Sequence, residues 1–136
     1  MGFISAKTNY GLIAVMELVE NYGKSLVQIK DIVNRRNVPK NYLEQILNRL
    51  LKTGIVKSVR GNRGGYELGR SPDLITVLEV IEALEGEINM AFNIGYAALK
   101  TIVLEVESSV KTMLSLSLSE LWAQQKVHEQ QIVYHI

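Results

Sequence analysis

Arg60 and Arg63 lie within the segment Val56-Lys-Ser-Val-Arg-Gly-Asn-Arg-Gly-Gly-Tyr-Glu-Leu68, between two short runs that favour extended backbone. Three of the chain's ten glycines, Gly61, Gly64 and Gly65, surround them. Glycine accepts positive φ, so this segment suits a tight, irregular hairpin tip from which both arginines project. A narrow duplex groove concentrates negative potential and would attract either guanidinium. A short way upstream, Asn41, Glu44 and Gln45 share the polar side of a helical pattern. Asparagine and glutamine pair bidentately with adenine, and glutamate accepts from the amino group of cytosine. The chemistry on offer is recognition by charge and hydrogen bonding rather than bond making.

The elements that must carry these groups follow from periodicity and punctuation. Ser5 to Tyr22 reads as a helix, with Leu12, Ile13, Val15, Met16 and Val19 on a broad apolar face. Gly23 suits a left-handed cap. Ser25-x-x-Gln28 has the capping-box pattern, which predicts a second helix to about Arg35. Pro39 suits the first turn of a third helix, where Tyr42, Leu43, Ile46, Leu47, Leu50 and Leu51 share one face. Lys40, Asn41, Glu44, Gln45, Asn48 and Lys52 largely occupy the other, and Gly54 ends the helix. The hairpin runs Ile55–Val59 and Tyr66–Leu68 come next. Ser71-Pro-Asp73 is a turn, and Thr76-x-x-Glu79 is a second capping box, opening a helix that Gly86 closes. Residues 87–95 have no firm period and read as a connector. From about Tyr96 to Leu114, apolar Leu99, Val103, Val106, Val110 and Met113 recur at alternating spacings of 4 and 3. That is a heptad-like seam for a second helix, either its copy in another subunit or an element of the same chain. Ser117-x-x-Glu120 predicts a last short helix to about Gln125, followed by a tail.

Composition narrows the possibilities. A chain of 136 residues can bury a core without disulfide or metal staples. It contains no cysteine, which excludes disulfides, thiolate zinc sites and a cysteine-held iron–sulfur cluster, and fits a reducing cytoplasm. The N-terminal region carries Lys7, Glu17 and Glu20 among its apolar residues, so no signal peptide is expected. No apolar run approaches the ~18–20 residues that cross a bilayer, so no membrane partner is expected. Net charge is only +1, but its distribution is uneven. From Lys24 to Arg70 there are eleven basic and three acidic residues, a local charge of +8 where the hairpin and third helix lie. Such a region suits a phosphate surface.

Enzymatic function is not expected. A cysteine nucleophile is absent, the carboxylates show no convincing pairing, and His128 and His135 read as solvent-exposed tail residues. The glycines of the 61–65 turn sit in a hairpin, the wrong context for a phosphate-binding loop after a buried strand. No cofactor and no metal are expected.

The order of helices, turn and arginine-bearing hairpin resembles a winged helix-turn-helix. More specifically, the chain resembles the Rrf2 family of bacterial transcription regulators. The matching motifs are Tyr10-Gly-Leu12, Val38-Pro-x-x-Tyr-Leu-Glu-Gln-Ile46 and Ser58-Val-Arg-Gly-x-x-Gly-Gly-Tyr-x-Leu68. Ile75-Thr-Val-x-x-Val-Ile-x-x-Leu-Glu-Gly86 and Leu116-x-Leu-x-Glu-Leu121 complete them. The resemblance implies a mainly α fold with a small β-hairpin wing and a long dimerisation helix. Its parts would be a DNA-binding domain over 1–86, a connector over 87–95, and a dimerisation helix with C-terminal tail over 96–136. It also implies a homodimer on a near-palindromic operator in double-stranded DNA, usually repressing. Many members hold an iron–sulfur cluster through three cysteines between the fourth helix and the dimer helix. This chain has none there, and so resembles the cluster-free members, some of which answer to partner proteins or small metabolites.

Carried over residue by residue, the resemblance puts Asn41, Glu44 and Gln45 at base edges in the major groove and Arg60 in the minor groove, with Arg63 as an added charge. Glu44 has an alternative partner in Lys40 or Asn48. Phosphate contacts are expected from Lys7, Thr8, Tyr10, Arg35, Arg36, Lys52 and Lys57. Met90, Phe92 and Tyr96, with Ala91 and Ile94, would either line an effector pocket at the dimer interface or simply pack there. The competing function is a winged-helix module that docks a partner protein.

Overall fold

The computed structural model describes residues 4–134, with side chains as far as Ile132; His135 lies outside the described residues. Helix α1 spans Ala6–Glu20, and the Ser5 hydroxyl accepts from the Thr8 amide to cap it. Its inward face presents Ala14, Val15, Leu18 and Val19, all buried. Helix α2 spans Ile29–Arg36. Its capping box is formed by Gln28 and Asp31, which bond reciprocally, and not by Ser25 and Gln28 as the pattern predicts. The cause is long-range. Val27 exchanges both backbone hydrogen bonds with Tyr66, which holds this stretch extended, so the helix starts only after it.

Asn37 then takes the left-handed conformation (φ 55°, ψ 36°) and buried Val38 pins the turn. Pro39 is the N-cap of α3, Lys40–Lys52, one position before the helix proper. Leu43, Ile46, Leu47 and Leu50 are fully buried, whereas Lys40, Asn41, Glu44, Gln45 and Asn48 face solvent. A strongly two-sided helix of this kind is held by its apolar stripe and is free to show the other face.

Strands β1, Val56–Val59, and β2, Gly65–Leu68, pair antiparallel with Val56 opposite Leu68 and Val59 opposite Gly65. Val56 and Leu68 are buried against the helices. The hairpin tip closes so tightly that a Cβ on Gly64 would sit 2.1 Å from the Val59 carbonyl oxygen. A side chain is excluded there.

After a short 3-10 turn at Pro72–Leu74, the Thr76–Glu79 capping box opens α4, Val77–Glu85, as its spacing predicts. Helix α5, Ala97–Leu114, has no buried residue and its contacts within the chain are chiefly with α4. At ~1.5 Å per residue it extends about 27 Å. The chain then returns. Leu118 is fully buried in the core, and the backbone around it bonds to the start of α4 (Leu118 N–H to Ile75 O, 2.8 Å; Val77 N–H to Leu116 O, 3.0 Å). Helix α6, Leu118–Tyr134, packs along α1 through Leu121 and Trp122. The expected short helix ending near Gln125 is thus a longer one. Its glutamine- and glutamate-rich second half forms helix readily but carries little apolar rhythm to announce it. Among the described residues no helix is long and apolar enough to cross a membrane.

Candidate nucleic-acid interface

Helix α3 and the hairpin carry the exposed groups that could meet a duplex. Asn41, Glu44 and Gln45 are exposed near the N-terminal end of α3. Glu44 forms no ion pair or side-chain hydrogen bond among the described residues, so the alternative with Lys40 or Asn48 is not realised. Tyr42, beside them, lies 5.8 Å ring to ring from Tyr10, which couples the start of α3 to α1.

The hairpin is tied to the same unit. Gln28, capping α2, donates from Nε2 to the Gly64 carbonyl at 3.1 Å. The backbone of β2 approaches Val27 so closely that a Cβ on Gly65 would lie 2.8 Å from its carbonyl oxygen. The wing is therefore held at a set position relative to α2. Ion pairs among the described residues join Arg35 and Arg36 to Glu17, Lys57 to Glu67, Arg70 to Glu79, Lys111 to Glu87 and Lys126 to Glu129. Arg60 and Arg63 are in none of them and are exposed. Their charge is left for an outside partner.

The expected phosphate contacts fare unevenly. Lys7 is half-buried in the first turn of α1, Lys52 is exposed at the end of α3, and neither has an ion pair among the described residues. Tyr10 is half-buried against Tyr42. Thr8 requires a correction. It is fully buried and its hydroxyl donates to the Glu85 carboxylate, so no phosphate reaches it. Glu85 also accepts from the Ser5 hydroxyl and amide, and these bonds from Ser5 and Thr8 hold its carboxyl below the usual range. Arg35 and Arg36 both pair with Glu17, which is only 2% exposed, while their own side chains stay 58% and 48% exposed. They also stand at the end of α2 opposite the one tied to the wing. Lys57 is partly neutralised by Glu67 directly across the hairpin, at 3.1 Å.

Sequence reasoning missed Glu17, Gln28 and Glu85. A signal existed for Glu17: a carboxylate within the run Met16-Glu17-Leu18-Val19 on the core side of a helix calls for a cationic partner. On α5, Leu99, Val106 and Met113 are exposed and Val103 and Val110 half-buried, so the seam has no complete cover within the chain. Phe92 and Tyr96 are 71% and 81% exposed, with Met90 also exposed, so one chain closes no pocket around them. Ala91 and Ile88 instead tuck inward, and the Met90 amide donates to Glu107 of α5 at 2.7 Å.

A sequence profile of the Rrf2 family, described as iron-dependent transcriptional regulators, matches residues 4–124. The HTH-type transcriptional regulator CymR of Bacillus subtilis is 43% identical over 86 residues, 63% of this chain and 62% of CymR. IscR of Cereibacter sphaeroides is 35% identical over 88 residues, 63% of this chain and 57% of IscR. The matched segment thus spans less than two thirds of either relative. Among solved structures, that of CymR (YrzC), the global cysteine regulator of B. subtilis, superposes with a TM-score of 0.81 at 34% identity, over 91% of this chain and 98% of CymR. T. potens IscR gives 0.78 at 33% identity, over 90% and 87% of the two chains.

The residues of this chain do not fit a thiolate-held iron–sulfur cluster. There is no cysteine, and Glu87 is the single ionisable side chain of the 87–95 connector, where it pairs with Lys111. Among the described residues no three His, Cys, Asp or Glu side chains gather as a metal site.

Proposed function

The chain belongs to the Rrf2 family, and from that premise we propose that it is a cytoplasmic, sequence-specific DNA-binding regulator acting as a homodimer without an iron–sulfur cluster. The observation that carries this reading is the pair of exposed arginines, in no ion pair among the described residues, on a wing braced against α2 beside an exposed polar face of α3. Unpaired cations held in a fixed place, next to amide and carboxylate groups suited to base edges, fit a duplex better than any other polymer.

In this reading α3 enters the major groove by its N-terminal end. Asn41, Glu44 and Gln45 meet base edges, and Arg60, helped by Arg63, meets the adjacent minor groove. Lys7, Lys52 and the Tyr10 hydroxyl orient the protein on phosphates without reading sequence. Pairing of two α5 seams, through Leu99, Val103, Val106, Val110 and Met113, doubles the unit and makes the operator a near-palindrome. A dimer seated on a promoter blocks it by occupancy alone, which makes repression the simplest outcome.

The test is a gel-shift titration of the full chain against genomic fragments with excess tRNA as competitor. A DNA-binding regulator retains a few fragments far above the rest. A protein-docking module shows no fragment selectivity over competitor, and that result would remove the proposal.

A further inference from the structure

A cavity of about 270 Å³ opens between α1 and α6. Leu12, Ile13 and Met16 of α1 and Trp122 of α6 give it apolar walls, and Arg36 and Glu129 are its charged lining. Arg36 donates to Glu17 through Nε. Among the described residues its two Nη groups have no hydrogen-bond partner, although a guanidinium offers five N–H donors in a fixed fork. A free planar fork beside an aliphatic hollow is the donor set that recognises a carboxylate on an apolar body.

We propose that this cavity binds a small branched aliphatic monocarboxylic acid, whose carboxylate takes the Nη edge of Arg36 and whose body fills the space between α1 and α6. Size supports a small ligand, since drug-sized molecules occupy pockets of roughly 300–1,000 Å³. Charge limits the ligand to a single negative charge, because Glu17, Glu20 and Glu129 all act on Arg36 and penalise a doubly charged phosphate more than a monoanion. A free ammonium group finds no ready acceptor. Glu129 pairs with Lys126 at 3.3 Å and accepts from Gln125 at 3.4 Å, so an amino acid gains nothing over the plain acid. The site also bears on α3. Arg36 ends α2 and only Asn37 and Val38 separate it from Pro39, the N-cap of α3. A carboxylate sharing Arg36 with Glu17 loosens that anchor and lowers affinity for DNA. This last step rests on the DNA-binding reading, whereas binding of the acid does not.

Trp122 is the chain's single tryptophan, so its emission reports on the cavity. The full chain, without DNA, is titrated with 4-methylpentanoate, 4-methylpentanamide, L-leucine and inorganic phosphate. A saturable change with 4-methylpentanoate at a dissociation constant of roughly 1 mM or tighter is expected, within reach of a ligand this small. The amide, which lacks the charge, is expected to bind at least about tenfold more weakly. Arg36→Lys keeps a cation for Glu17 but loses the fork, and is expected to cost the acid a similar factor. Equal response to acid and amide, no response to the acid, or tighter binding of leucine or phosphate would overturn the assignment. In a second measurement, saturating acid is expected to weaken retention of a gel-shifted fragment several-fold. Acid binding with unchanged retention would overturn the coupling to α3 while leaving the DNA-binding reading intact.

Discussion

Replacing both wing arginines, Arg60→Ala with Arg63→Ala, isolates the electrostatic part of the proposed interface. Both side chains are exposed and in no ion pair among the described residues, so the fold loses little by the change. Unfolding free energy is expected to move by no more than about 0.5 kcal/mol. DNA binding is expected to respond strongly. Each cation that neutralises a phosphate contributes ~0.9 to the slope of log K against log salt. Two arginines per chain in a two-chain complex therefore account for about 3.6 units of that slope if all four engage the duplex. At fixed salt, loss of a good groove contact from each wing adds roughly 1–3 kcal/mol per site. The assay is fluorescence anisotropy of a labelled duplex bearing a selected site, repeated from about 50 to about 200 mM salt, where such slopes are well resolved. A double variant with native stability and an unchanged slope would refute the reasoning, because it would place both wing arginines away from DNA.

Other perturbations test other links. Leu118→Ala empties a fully buried position and is expected to cost about 2–5 kcal/mol in urea unfolding; no loss would mean that α6 does not help close the core. Val106→Glu puts a carboxylate at the middle of the α5 seam and its copy, and sedimentation velocity is expected to show monomers at concentrations where the parent is dimeric. An unshifted dimer would take the seam out of the interface. Glu85 is held below the usual glutamate value of 4.5 by hydrogen bonds from Ser5 and Thr8, so its contribution to stability is present above that value and is lost as pH falls through the lowered one. Glu85→Gln is expected to flatten the stability profile below about pH 4.5; a parallel profile would show that the carboxylate does not set it.

What the sequence made legible was what local spacing controls. The Thr76–Glu79 capping box, the two-sided pattern of α3 and the positive φ of Gly61 are specified within a few residues, whereas Gly65 is required by its approach to distant Val27. The misread elements depend on distant partners. Ser25 and Gln28 have capping-box spacing, yet Val27 is drawn into a bridge with Tyr66 and moves the start of α2. Thr8 reads as a surface group until Glu85 is found opposite it, and the pairing of Arg35 and Arg36 with buried Glu17 is likewise set by a distant element. Charge counts register cations, not the buried acids that engage them. The start of α6 is marked locally by Ser117, whose hydroxyl accepts from the Glu120 amide, but its run to Tyr134 is not, because the second half carries little apolar rhythm.

Selection of bound duplexes from a random pool by the purified full chain tests the central claim most directly. If two copies place α3 and the wing on one face of DNA, the enriched sequences form an inverted repeat with half-sites about one helical turn apart, ~34–36 Å. Recovery of a pool no different from the input, or of a single half-site without its repeat, would contradict it.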